Sequence, residues 1–194
     1  MQNKFQNKYR ISSTRLQTWD YSNNGAYFIT ICTKNREHFF GNIQNRIMKL
    51  SQIGYLAEQF WIEIPNHFPF VELGNFVVMP NHVHGILIIN KIKPDNVETR
   101  HCLVSDDENE TRQCLVSTGM GQSRIQNQGK NTISSIVGSY KSIVTKTSRT
   151  IRFDFGWQSR FYDNIIRNSN SFEIIQNYII ENPLKWNKDK FYSL

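Results

Sequence analysis

Two β-rich runs, NFVV at 75–78 and HVHGILII at 82–89, are separated by Met79-Pro80-Asn81 alone. So short a turn-forming break joins neighbouring strands into an antiparallel hairpin. The remaining elements must be arranged around that hairpin. Upstream, AYFITICT at 26–33 is β-branched and aromatic, with Gly25 before it and Lys34, Arg36 and Glu37 after it, the pattern of a buried strand. Residues 51–64 carry Ile53, Leu56, Ala57, Phe60, Trp61 and Ile64 at intervals of three and four, an amphipathic helix stopped by Pro65. Downstream, Ile133, Ile136, Val137, Tyr140, Ile143 and Val144 share one face of a helix over 132–148, with Lys141, Lys146 and Arg149 mostly away from it. A short strand at 161–166 and a third helix at 171–181 follow, the helix capped by Ser171 and stopped by Asn182-Pro183. The order β-α-β-β-α-β-α predicts an α+β fold: an antiparallel sheet with helices packed on one face, of the ferredoxin or RRM type.

The chain has 194 residues and 39% hydrophobic side chains, enough to bury a core without staples. The expectation is one domain over 1–194 with a flexible insertion at about 91–130. That stretch has no aromatics, is rich in Asn, Gln, Ser, Thr, Asp and Glu, and holds TRHCLVS at 99–105 and again as TRQCLVS at 111–117. Two copies of so short a unit build no solenoid and read as a tandem duplication in a tolerant loop. Cys32, Cys102 and Cys114 form neither an even set nor a CxxC pair, so free thiols are expected rather than a disulfide scaffold or zinc knuckle. The apolar stretches are too short to span a bilayer. The N-terminal residues lack the apolar core of a signal peptide, so a cytoplasmic location is expected. The net charge is +7, with the excess at the two ends: residues 1–50 hold 8 basic and 2 acidic side chains and residues 131–194 hold 9 and 5, whereas residues 51–130 hold 6 and 9. This balance suits an anionic partner, and with the membrane disfavoured it points to nucleic acid.

His82-Val83-His84 is the strongest local chemical signal. Residues two apart on a strand face the same way, so two imidazoles converge, and burying them among Val, Ile and Leu is costly unless something such as a divalent cation binds them. Two ligands leave a metal site incomplete, and no HExxH motif or nearby acidic cluster completes it as a zinc protease or di-metal nuclease. An amide oxygen such as that of Asn182 would suit Mg²⁺ or Mn²⁺. Tyr178 and Asn182, four apart, stack on one helical face. By spacing alone they read more readily as a core aromatic and a helix terminator. Trp157-Gln158-Ser159-Arg160-Phe161-Tyr162 has the mix that stacks on bases and contacts phosphates, and equally the mix that packs a sheet edge. Arg10, Arg15 and Arg36 flank the first strand, where charged residues are usually just solvated.

Several stretches resemble one family, the single-tyrosine HUH transposases, and within it the REP-associated tyrosine transposases. VVMPNHVHGILII (77–89) is similar to the family's HUH strand and NYIIENPLKW (177–186) to its catalytic helix. DYSNNGAYFITICTKNREHFFG (20–41) and WQSRFYDNIIRN (157–168) are also similar to family stretches. The resemblance implies a ferredoxin/RRM-like HUH fold, His82, His84 and Asn182 as ligands of Mg²⁺ or Mn²⁺, and Tyr178 as nucleophile, displacing Tyr140 and Tyr162. It further implies nicking and strand transfer on single-stranded DNA hairpins or REP-type repeats through a 5′-phosphotyrosine, without ATP, by a monomer or homodimer. Arg15, Arg36, Trp157, Arg160 and Arg167 are the expected DNA contacts. The insertion is unusual for the family and leaves open a second reading, an inactive DNA- or RNA-binding protein of the same fold.

Overall fold

The computed structural model describes residues 15–16, 18–91, 129 and 131–192, together with the backbone of two short paired strands, β1 (Lys4–Phe5) and β2 (Lys8–Tyr9). Nearly all of the expected insertion lies outside the described residues, with the duplicated heptapeptides, Cys102 and Cys114; Arg10 does too. The elements that follow are β3 (Gly25–Cys32), the hairpin β4 (Gly41–Gln44) and β5 (Ile47–Leu50), α1 (Gln52–Ile62), α2 (Ile64–His67), β6 (Val71–Met79), β7 (His82–Ile89), α3 (Ile133–Ser148), β8 (Tyr162–Ile166) and α4 (Ser169–Glu181). A 3₁₀ segment, Pro183–Lys188, ends the list. No helix among the described residues is long and apolar enough to cross a membrane.

Four strands form one antiparallel sheet in the order β6-β7-β3-β8. The fold is α+β. The central strands β7 and β3 alternate between two different faces. Tyr27, Ile29, Ile31, Val83 and Leu87 face the hydrophobic core, which α1 and α3 cover. There Trp61 of α1 and Tyr140 of α3 pack edge to face with ring centroids 5.1 Å apart, and the Tyr140 hydroxyl donates to the Ala57 carbonyl at 3.0 Å. Phe28, Thr30, Cys32, His82 and His84 alternate with these and face the other side, where α4 lies: Tyr178 meets Phe28 edge to face at 6.1 Å, and the Asn75 amide of β6 donates to Gln176.

The expectation of helices on one face is therefore corrected: α4 occupies the opposite face. Its stripe is shallow, with Ile179 its one buried residue, so it covers that face only in part. Other boundaries shift for local reasons. The strand expected at 75–78 begins at Val71, because a bulge between Leu73 and Phe76 breaks the alternation. Asn168, not Ser171, caps α4, its side chain accepting from the Ser171 amide. Pro65 sits inside the first turn of α2, where its missing N–H costs nothing. The β4–β5 hairpin went unread because its turn, Asn45-Arg46, lacks glycine although both residues are left-handed, with φ of 51° and 65°.

Gly85 lies where Trp61 and Phe76 pack closely on β7. A Cβ there would lie 2.3 Å from Cζ2 of Trp61 and 2.9 Å from Cβ of Phe76. Gly85→Ala is expected to cost about 1–3 kcal/mol by overpacking, read as a lower urea midpoint at unchanged slope. An unchanged midpoint would show that Trp61 does not close on the strand.

Candidate active site

His82 and His84 are 0% and 1% exposed, and their ring centroids are 4.3 Å apart. Each is fixed through its Nδ1. That of His82 lies 2.8 Å from Oδ1 of Asn81, whose own amide nitrogen donates to the Phe191 carbonyl. Since Oδ1 can only accept, His82 Nδ1 carries the proton and Nε2 is left with a lone pair. Nδ1 of His84 lies 2.8 Å from Oγ1 of Thr30, its cross-strand partner on β3. Burial, with Lys190 nearby, pushes the His84 pKa down to about 3, and burial beside His84 pushes that of His82 well below its ordinary value. Both rings are neutral at pH 7, the form that can bind a metal.

The last turn of α4 brings two more groups. Asn182 keeps helical angles (φ −56°, ψ −45°) one residue past the helix, so the four-residue stacking with Tyr178 survives. The Tyr178 hydroxyl lies 3.2 Å from Nε2 of His84 and 3.4 Å from Oδ2 of Asp189. Partial burial and the Asp189 charge push its pKa up to about 12. Asn182 is buried and its amide nitrogen donates to Oδ2 of Asp189 at 3.1 Å.

Asp189 was not foreseen. It sits in Lys188-Asp189-Lys190, past the last periodic element, and only its adjacency to the end of the 3₁₀ segment folds it back. Its second oxygen accepts from the Phe191 amide at 2.7 Å. Ligand atoms of His82, His84 and Asp189 all lie within 4.8 Å of one another. Nε2 of His82 and Oδ1 of Asn182 are buried with no hydrogen-bond partner among the described residues. An unpartnered buried polar atom costs about 1–3 kcal/mol, and these two flank a cluster of lone pairs. The donor set fits a divalent cation. Beside it opens a cleft of about 500 Å³ lined by Phe28, Tyr162, Tyr178, Lys185, Lys188 and Lys190, among others.

No model of a known protein family matches the sequence. A protein of Haemophilus influenzae, described as uncharacterized, is 37% identical over 183 residues, 93% of this chain and 92% of the relative. The two belong to one family. Among solved structures, a REP-associated tyrosine transposase bound to a REP hairpin is similar with a TM-score of 0.55 and 19% identity, over 93% of this chain and 77% of that one. The chain has the fold of the REP-associated tyrosine transposases.

On this transposase fold the five expected DNA contacts are dispersed. Arg15 is held by Asp163 at 2.9 Å and Ser134 at 2.6 Å and lies over the rings of Tyr21 and Phe161, so its guanidinium serves packing. Trp157 is half-buried among Phe40, Tyr140 and Phe155, its indole N–H donating to the Lys141 carbonyl. Arg36 lies over Phe191, beside the site, and donates to the Lys190 carbonyl. Arg160 and Arg167 are exposed and not brought to the cleft. Tyr140 is buried in the core, and Tyr162 lines the cleft rim. Cys32 is a free, buried thiol.

The histidines give the metal-free protein a defined acid response. Their folded pKa values lie below the ordinary value near 6.5, so the unfolded chain binds protons that the fold excludes. Their contribution is complete above that value and lost as pH falls through the window toward about 3 for His84. In EDTA, the urea midpoint of wild type is expected to fall more steeply below pH 6.5 than that of His84→Gln. Parallel curves would show that the imidazole is not excluded from protonation.

Proposed function

We propose that the chain is a divalent-metal-dependent enzyme that nicks and rejoins single-stranded DNA at hairpins or REP-type repeats, with Tyr178 as nucleophile. The observation that carries this is the Tyr178 hydroxyl 3.2 Å from Nε2 of His84, itself paired ring to ring with His82, on the helix whose next turn brings Asn182 and its unpartnered amide oxygen. A structurally similar transposase is bound to a REP hairpin, which supports hairpin DNA as the substrate.

His82, His84 and Asn182 would hold Mg²⁺ or Mn²⁺. When bound, the ion supplies Lewis-acid polarisation of the scissile phosphate oxygens. The Tyr178 oxygen forms a bond to phosphorus as the bond to the 3′ oxygen breaks, leaving a 5′-phosphotyrosine, and the departing 3′ oxygen takes up a proton from solvent to become a free 3′-OH. The phenol must lose a proton, which its raised pKa makes difficult at neutral pH. With Nε2 of His84 reserved for the ion, the Asp189 carboxylate, 3.4 Å from the hydroxyl, would be the acceptor within reach, serving as base rather than as a further ligand. Attack by another 3′-OH reverses the step and transfers the strand. The phosphodiester energy is kept in the protein linkage, so ATP is not required. Lys185, Lys188 and Lys190 line the cleft and offset the charge of the incoming phosphates.

Wild type is expected to give a covalent protein–DNA adduct on denaturing gels with labelled hairpin oligonucleotides and Mn²⁺ or Mg²⁺. Tyr178→Phe is expected to give none while still binding. Nicking without an adduct would instead indicate a hydrolase that activates water, and binding without nicking in wild type an inactive binding protein. Asp189→Asn is expected to slow adduct formation by about 10²–10⁴-fold, the usual worth of a positioned proton acceptor. It should also move the pH–rate profile alkaline; an unchanged profile removes Asp189 from the proton transfer.

A further inference from the structure

The β4–β5 hairpin stands apart from the four-stranded sheet, and beside it runs a groove that the chemistry above does not use. It has a volume of about 540 Å³ and is lined by Ile43, Arg46, Leu184, Lys185, Trp186 and Lys188, with Pro183 and Asn187 completing it. Its lining holds three cations and no acid. Two of those cations, Lys185 and Lys188, also line the cleft at Tyr178, so groove and cleft share a wall. Trp186 makes a second link: it lines the groove while its ring lies 6.0 Å from that of His82. Leu184 is 56% exposed, an apolar ledge among the positive charges. Arg46 is exposed at the tip of a two-residue turn whose left-handed backbone fixes where its side chain starts. Lys185 pairs with Glu181 one turn earlier, a surface contact worth little and easily exchanged for a phosphate.

We propose that this groove is a second subsite for the same single-stranded DNA. One flank of the scissile phosphate passes from the cleft over Lys185 and Lys188, sets a backbone phosphate against Arg46, and rests an unstacked base on Leu184 and Ile43. Alternating cations and apolar ledges is what an unpaired strand requires, since its phosphates and base faces are exposed together. A duplex keeps its base faces stacked and has nothing to place on the ledge. The inference rests on the reading of the cleft as a single-strand site, and it adds a flank-binding surface to it.

The test is fluorescence anisotropy with labelled, mixed-sequence single-stranded oligonucleotides, using the Tyr178→Phe protein so that binding is read without cleavage. In that background R46N removes the charge but keeps a residue tolerant of the left-handed turn, and R46E reverses the charge. R46N is expected to weaken binding about 3-fold and R46E about 10-fold. The slope of log affinity against log salt should drop by about 0.7, the value of one single-strand phosphate contact. Trimming the oligonucleotide from one end only should abolish the difference between R46E and its parent. Equal affinities and slopes at matched thermal melting, or a parent protein that does not bind single strands, would overturn the proposal. Adduct formation by wild type is read separately: its failure removes the nicking assignment, whereas an Arg46 effect confined to one flank still establishes the subsite.

Discussion

Two neutral imidazoles held side by side on a central strand are the constraint around which this molecule is organised. Neither ring can be charged without a large desolvation cost, and neither can turn, because Asn81 fixes one Nδ1 and Thr30 lies against the other. The rings therefore present Nε2 toward the same point. Outer-shell groups of this kind set the orientation and tautomer of metal-binding histidines. Here they come from β3 and from the β6–β7 turn, so the site depends on strand pairing as much as on its own residues. Asn81 also grips the C-terminal segment through the Phe191 carbonyl, and that segment carries Asp189.

The chemistry then depends on α4 approaching from one side. A helix with a single buried residue is weakly held by packing alone, and its seat is supplemented by polar contacts: Asn75 to Gln176, Tyr178 to His84, Asn182 to Asp189. Tyr178, the proposed nucleophile, is thus carried by the least deeply packed of the long helices, on the more open face of the sheet. Substrate access and weak packing have the same structural origin.

Much of this was readable from sequence for reasons that can be located. The strands at 26–33 and 82–89 announced themselves by β-branched runs, and α1 and α3 by their three–four spacing, because each buries a face against one core. The same-face placement of His82 and His84 followed from strand geometry alone. Tyr178 and Asn182 were different: spacing put them on one face but could not tell ligand and nucleophile from core and cap, and their assignment came through resemblance. Asp189 was out of reach, since its position depends on the 3₁₀ segment turning the chain back after Asn182. Helices on both faces were also unread, because an amphipathic stripe says that a helix is covered but not by which side of a sheet. Arg15 and Trp157 show the converse, residues of nucleic-acid-binding composition that the fold spends on packing.

The alternation along β7 also limits how such a chain can change over time. His82 and His84 serve the site, while Val83, Gly85 and Leu87, between and after them, close the core against Trp61 and its neighbours. Losing or gaining one residue within 82–87 would exchange the two sets, turning imidazoles into the hydrocarbon layer and apolar groups toward the cleft. Every such length change is forbidden in a stretch of six residues, yet the segment that begins just after this strand has taken in a tandem copy of its own heptapeptide. Tolerance and intolerance to length variation are adjacent in the chain, and the boundary between them falls where the strand stops facing two ways at once.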